Sequence, residues 1–235
     1  MIAMICVSIA NNNVKDMIEN AKKAIKLGAN FLEFRLDYLQ DISPNTLSEL
    51  KPLSQQSIPI VFTCRKASEG AHFKIDEPTR LKIIENLVSL HPDFVDLEIN
   101  INKNKLSQLI SLFHKHDIKI ILSYHNFKNT PPLNKLDPII SSMFSLKPEV
   151  IKIVLMANNK FDNLTAFNIL EKYSTNYYEI ISFCMGSKGT ISRLLCPFLG
   201  SKFTFASLDN PTAPGQISIS QMKKIYKILI PLITT

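Results

Sequence analysis

The feature that most constrains this chain is a regular alternation. Short runs rich in Ile, Val and Phe recur, each followed by a longer stretch with apolar residues at helical spacing. The pattern predicts strands near 3–9, 31–37, 58–63, 93–98, 118–124, 150–155, 178–184 and 202–206. It predicts helices near 13–27, 44–55, 77–90, 103–116, 135–145, 160–173, 187–195 and 218–230. Gly28 follows the first helix where a left-handed residue belongs. Pro44, Pro78 and Pro138 fall near helix starts, where a missing N–H does no harm. Strands alternating with helices make an α/β protein with a parallel sheet. Eight such units in 235 residues, with no linker between them, predict a (β/α)8 TIM barrel, a single domain over 1–235. An open doubly wound sheet is the alternative, but no G-x-G-x-x-G follows the first strand.

Composition narrows the function. At 46% hydrophobic and 20% charged, the chain is neither disordered nor fibrous. No run reaches the ~18 apolar residues of a membrane helix. The apolar start M-I-A-M-I-C-V-S-I-A lacks the basic region of a signal peptide and reads as a buried strand. Cys6, Cys64, Cys184 and Cys196 form no C-x-x-C pair, so free thiols in a reducing cytoplasm are expected. No metal-ligand spacing occurs; His114 and His116 would point to different faces of a helix. The net charge of +7 raises a nucleic-acid reading. Yet only four of the 27 basic residues are Arg, the Lys residues are scattered along helix faces, and Trp is absent. That is a compositional bias rather than a basic patch interleaved with aromatics, so no nucleic-acid partner is expected.

Polar residues inside the apolar runs carry the chemistry, because a barrel gathers the C-terminal ends of its strands on one face. The first run ends in Ser8. The second reads E-F-R-L-D, placing Glu33, Arg35 and Asp37 on one side. The third ends F-T-C-R and continues K-A-S-E-G, giving Arg65 and Glu69. The fourth reads V-D-L-E, with Asp96 and Glu98 on one side, and the fifth ends S-Y-H with His125. The sixth sets Lys152 among Ile and Val; the seventh ends F-C-M at Met185, and its loop G-S-K-G-T-I-S-R leads to Arg193. After the eighth comes P-T-A-P-G-Q. Any one of these residues could be structural. Together they nearly balance in charge, and buried charge persists only where it is paired or used. Three of the four Arg fall in this set, where a planar fork suits a carboxylate or several oxygens. Arg80, early in a helix, reads as a surface residue.

Lys152, desolvated and near other cations, is expected to have a lowered pKa. A neutral amine there attacks a ketone and forms an imine, which acidifies the neighbouring C–H. His125, on the adjacent strand, is the matching general base. Elimination and carbon–carbon cleavage both fit this chemistry, and spacing alone does not choose between them. A Schiff-base aldolase on the same barrel is therefore an alternative. A phosphate cradle at G-S-K-G is another reading of that loop.

The ordered set E-F-R-L-D, T-C-R-K-A-S-E-G, V-D-L-E, S-Y-H, V-I-K-I-V, M-G-S-K-G-T-I-S-R and T-A-P-G-Q resembles the type I 3-dehydroquinate dehydratase family from Ser8 to Gln216. The resemblance implies a TIM barrel, usually a homodimer, that dehydrates 3-dehydroquinate to 3-dehydroshikimate in the shikimate pathway without metal or organic cofactor. It implies that Lys152 forms the Schiff base, that His125 takes the C2 proton and returns it to the departing hydroxyl, and that Glu69 orients the His. Glu33, Arg35 and Arg65 then hold substrate hydroxyls and the ring, and Arg193 anchors the carboxylate. Ser8, Thr212 and Gln216 add contacts, the loop around Gln216 closing over the substrate. Asp37, Asp96, Glu98 and Met185 support these from behind. Thr212 stands where the family commonly has Ser, which keeps the hydroxyl. The sequence opens on its first strand, so the N-terminal extension of some members is not expected.

Overall fold

A computed structural model describes residues 3–51, 58–174 and 178–233. Among them are eight strands: β1 (Ile5–Ile9), β2 (Phe31–Arg35), β3 (Ile60–Thr63), β4 (Phe94–Glu98), β5 (Lys119–Asn126), β6 (Val150–Met156), β7 (Glu179–Met185) and β8 (Thr204–Ser207). The helices are α1 (Val14–Lys26), α2 (Pro44–Ser48), α3 (Glu77–Asn86), α4 (Lys103–Lys115), α5 (Leu133–Ser145), α6 (Asp162–Tyr173), α7 (Thr190–Leu195) and α8 (Ile219–Ile233). All strand pairs are parallel, in the order β7-β6-β5-β4-β3-β2-β1-β8. Between β7 and β8 the ring is joined by an Ile180–Ser201 bridge and by the Lys202 N–H donating to the Ile180 carbonyl at 2.8 Å. The result is a nearly closed TIM barrel.

Local chemistry explains the joints. Asn13 caps α1 by accepting the Asp16 N–H at 2.9 Å. Gly28 leaves that helix at φ +84°, a region in which an L side chain is strained. The buried face of α1 is Val14, Met17, Ala21 and Ala24, a stripe three to four residues apart. Pro44 and Pro78 lie at helix N-termini, as expected.

Four local expectations need correction. The second helix is short, Pro44–Ser48, and the last part of its expected span, 52–55, lies outside the described residues. The third helix gives way at Leu87 to a 3-10 turn. Pro138 lies inside α5, because that helix begins earlier, at Leu133. β2 stops at Arg35, and a 3-10 turn follows it. Asp37 therefore folds back onto Arg35 instead of continuing the strand.

Strand parity sorts the interior. Inward positions at depth carry aromatic rings: Phe31 packs on Phe203 at 4.5 Å and on Phe94 at 6.2 Å, and Phe205 lies 5.3 Å from Phe203 and 5.9 Å from Phe183. The next inward positions towards the C-terminal ends are polar: Ser8, Glu33, Thr63, Asp96, Ser123 and Lys152, all buried. The barrel thus has an apolar floor and a charged upper layer.

Candidate active site

The strand ends enclose an open cavity of about 680 Å³, the open solvent at its mouth included. Lys152, His125, Glu69, Ser8, Glu33, Arg35, Arg65, Arg193, Thr212 and Gln216 all line it. Met185 lines it too, so its expected place behind the site is corrected: it touches the cavity directly. Asp37, Asp96 and Glu98 are buried and do not line it.

Arg35, Arg65 and Lys152 each find a partner of opposite sign. Arg35 donates Nε and Nη2 to the two oxygens of Asp37, at 2.9 and 2.7 Å. Asp37 also accepts the backbone N–H of His72 at 3.1 Å, so it holds Arg35 and the following loop together. Glu33 accepts from Ser8 Oγ at 2.7 Å and from Thr63 Oγ1 at 2.9 Å. Arg65 Nη1 donates to Asp96 at 2.8 Å, to Ser123 Oγ at 3.0 Å and to Glu98 at 3.2 Å. Burial opposes ionisation of Asp96, but Arg65 and Lys152 outweigh it and hold that carboxyl well below the usual range.

Lys152 Nζ donates to Asp96 Oδ2 at 3.0 Å, stands 3.7 Å from Glu33 Oε1, and sits over the Phe205 ring at 4.3 Å. The expected crowd of cations is therefore matched by two carboxylates. They orient the amine toward the cavity instead of leaving it among like charges. β5 and β6 pair Ser123 with Lys152 and His125 with Val154, so His125 stands one inward position nearer the mouth.

His125 Nδ1 lies 2.9 Å from Glu69 Oε2, and Asn100 Nδ2 donates to the other Glu69 oxygen at 2.9 Å. Burial, Arg65 and Lys152 push His125 well below its ordinary pKa, so its imidazole is neutral at neutral pH. Burial pushes Glu69 up to about 7. With Nδ1 engaged by Glu69, Nε2 is the nitrogen left for the cavity.

Arg193 is the opposite case. It is 1% exposed; among the described residues its Nε and Nη2 find no partner, and Nη1 reaches only the Phe205 carbonyl at 3.4 Å. Its guanidinium lies 4.3 Å from the Phe183 ring centroid, and burial lowers its pKa to about 10. Donors buried without acceptors are costly, and these two belong to a residue on the cavity wall. An anion there would satisfy them.

The loop around Gln216, expected to act as a lid, is fastened at the start of α7. Gly186 N–H donates to the Pro214 carbonyl at 3.0 Å, and Thr190 Oγ1 to the Gly215 carbonyl at 3.2 Å. Gln216 Oε1 accepts the N–H and hydroxyl of Thr212 at 2.7 and 2.9 Å. The phosphate-cradle reading of G-S-K-G fails on these bonds. The Gly186 and Gly189 N–H groups are already used, and Lys188 reaches out to the Asn158 carbonyl.

Sequence reasoning missed several residues. Thr63, Ser123 and Asn100 support Glu33, Asp96 and Glu69; Ser123 shares an inward parity with His125, which was the available signal. Phe127, Phe183 and Phe205 supply apolar cavity wall. Arg80, expected at the surface, is 1% exposed, and its Nη1 donates to Glu98 at 2.9 Å and to the Cys64 carbonyl at 2.7 Å. It lies on the same helix face as Ile83 and Ile84, and a charge on an apolar stripe was the sign of burial. Among the described residues no group of His, Cys, Asp or Glu is arranged to hold a metal ion, and no helix is long and apolar enough to cross a membrane.

Comparison with known proteins agrees with this geometry. The model of the type I 3-dehydroquinase family matches residues 5–232. The 3-dehydroquinate dehydratase of Methanocaldococcus jannaschii is 32% identical over 229 residues, 96% of this chain and 99% of that protein. The crystal structure of a type I 3-dehydroquinate dehydratase from Clostridium difficile, with covalently modified comenic acid, superposes with a TM-score of 0.87 at 27% identity, over 97% of this chain and 92% of that one. The Aquifex aeolicus 3-dehydroquinate dehydratase gives a TM-score of 0.79 at 30% identity, over 96% and 98%. With a match across nearly its whole length, and with amine, imidazole and guanidinium gathered at one barrel mouth, this chain belongs to the type I 3-dehydroquinase family.

Proposed function

We propose that the chain acts as a hydro-lyase on 3-dehydroquinate, producing 3-dehydroshikimate as one catalytic domain. The single observation that carries the assignment of roles is that Lys152 Nζ, neutral His125 and the unpartnered Arg193 guanidinium line one cavity. Arg193 takes the substrate carboxylate, which brings the ring ketone to Lys152. The amine adds to the carbonyl carbon, and loss of water gives a protonated imine bonded to Nζ. The imine draws electrons from the adjacent carbon, so His125 Nε2 removes the C2 proton and leaves an enamine. The enamine pushes out the hydroxyl on the next carbon, which leaves as water with the proton that His125 had accepted. Water then adds to the conjugated imine and releases product and Lys152.

The other roles follow from position. Asp96 and Glu33 orient the amine. Glu69, held by Asn100, fixes the His125 tautomer. Arg35, Arg65, Ser8 and Gln216 receive ring hydroxyls, and Thr212 steadies Gln216. The electron sink is the covalent imine, so the scheme calls on no cofactor. Family membership supports a homodimer, to be seen as a solution mass near twice 26.6 kDa. The four free, buried cysteines support a reducing cytoplasm.

The test is incubation with 3-dehydroquinate, followed by borohydride reduction and peptide mass analysis. The expected result is conjugated-product absorbance and a reduced ligand on the Lys152 peptide. Absence of both would overturn the reading. Carbon–carbon cleavage of a sugar phosphate with the same adduct would favour an aldolase.

A further inference from the structure

We propose that Arg80, on α3 outside the cavity, is a positioning residue that sets the geometry of Arg65 and Lys152 through Glu98. The inference rests on the dehydratase reading of the site.

Arg80 holds a buried carboxylate from behind. Its Nη1 donates to Glu98 Oε2 at 2.9 Å and to the Cys64 carbonyl at 2.7 Å. Its Nε and Nη2 grip both oxygens of Glu77 at 2.8 and 3.0 Å, on the first turn of the same helix. Glu98 uses its other oxygen forwards, accepting Arg65 Nη1 at 3.2 Å and the Lys66 N–H at 3.0 Å. Arg65 then shares Nη1 with Asp96, and Asp96 gives its second oxygen to Lys152 Nζ. The groups alternate in sign from Glu77 at the rim of α3 to the reactive amine.

This arrangement does more than satisfy Arg80. Glu98 is fully buried, so each of its oxygens needs a donor. With Arg80 in place, one oxygen is occupied and only one bears on Arg65. Without Arg80, the freed carboxylate competes with Asp96 for the Arg65 guanidinium. Arg65 would be drawn from the cavity wall, and Asp96, keeping only Ser123 Oγ and Lys152 as donors, would hold the amine more tightly. Two kinetic consequences follow. Ring binding weakens, and the amine becomes less available for attack. A residue that only fills space in α3 would produce neither.

The experiment compares wild type, Arg80→Met and Arg80→Lys. Each is titrated for competent sites by borohydride trapping on Lys152, so unfolded protein does not enter the rates. Wild-type turnover and trapping establish the dehydratase reading first, so its failure is separate from failure of the Arg80 role. The expected result for Arg80→Met is a KM raised about tenfold and a kcat per trapped site lowered severalfold. Arg80→Lys keeps the charge but reaches fewer acceptors; it is expected to restore kcat more than KM. Wild-type KM and kcat per site in Arg80→Met would overturn the proposal. Should Arg80→Met not fold, the same wild-type values in Arg80→Lys would overturn it.

Discussion

Proton transfer in this cavity turns on which nitrogen of His125 carries hydrogen. Nε2 can accept a proton only if Nδ1 bears one and donates it to an ionised Glu69. A protonated Glu69 would donate to Nδ1 and place the hydrogen on Nε2, the wrong tautomer for a base. Since burial pushes Glu69 up to about 7, kcat/KM should rise with pH through about 7, and fall roughly tenfold per unit below it. In Glu69→Gln this inflection should vanish and turnover should drop; an unchanged profile would show that Glu69 does not govern the limb. Stability runs the other way. A carboxyl whose folded pKa is raised adds stability below its unfolded value, and that contribution is lost as pH rises through about 7. The active protonation state is thus the less stable one. His125→Ala should lose ~10²–10⁴ in turnover yet still yield the reduced adduct, whereas Lys152→Ala should lose both. Arg193→Met separates binding from folding. Losing a charge-assisted contact worth about 1.5–3 kcal/mol should raise KM ~10–100-fold. Its melting temperature should hold or rise, because two unpartnered buried donors are removed with it.

At the scale of elements, strands place the reactive groups and loops complete the cavity. Gly215 shows how tightly the lid is seated. Its φ is +75°, and an added Cβ would meet the Gly186 carbonyl oxygen at 2.1 Å. Gly215→Ala should therefore push the Thr212–Gln216 segment off its seat. Steady-state kinetics should show KM raised severalfold with Lys152 trapping intact; an unaltered KM would mean the lid contributes little binding. The strands and their cargo were legible in the sequence because a two-residue period fixes the face of every inward charge, from Glu33 and Arg35 to Lys152. The turns were less so. Asp37 has the parity of a strand residue, but its bidentate grip on Arg35 depends on where β2 stops. Arg80 was misread because a charged residue on a short helix is ordinarily solvated, and its buried partners, Glu98 eighteen positions away and the Cys64 carbonyl, come from other parts of the chain. Asn100 became legible only when the chain after β4 was brought against Glu69.

Across the whole molecule, the cavity draws on residues from all around the ring, while the ring itself has one light seam. β1 pairs with β8 over four positions, but β7 meets only the segment leading into β8, through the Ile180–Ser201 bridge and the bond from Lys202. A ligand in the cavity reaches both sides of that seam, since Phe183 and Met185 lie on β7 and Phe205 on β8. It also supplies the acceptor that Arg193 lacks, and Arg193 bonds the β8 backbone at Phe205. Binding to the folded state alone should stabilise it by about 2.7 kcal/mol at a hundredfold excess over Kd. For a chain of this length that is a rise of roughly 5–10 °C in melting temperature. The borohydride-reduced adduct, which does not dissociate, should show at least this increment. Amide exchange should slow most at Lys202 and its neighbours on the seam. Arg193→Met should retain the adduct but lose part of the increment. An adduct that leaves both melting temperature and seam exchange unchanged would mean that the barrel closes without help from its occupant.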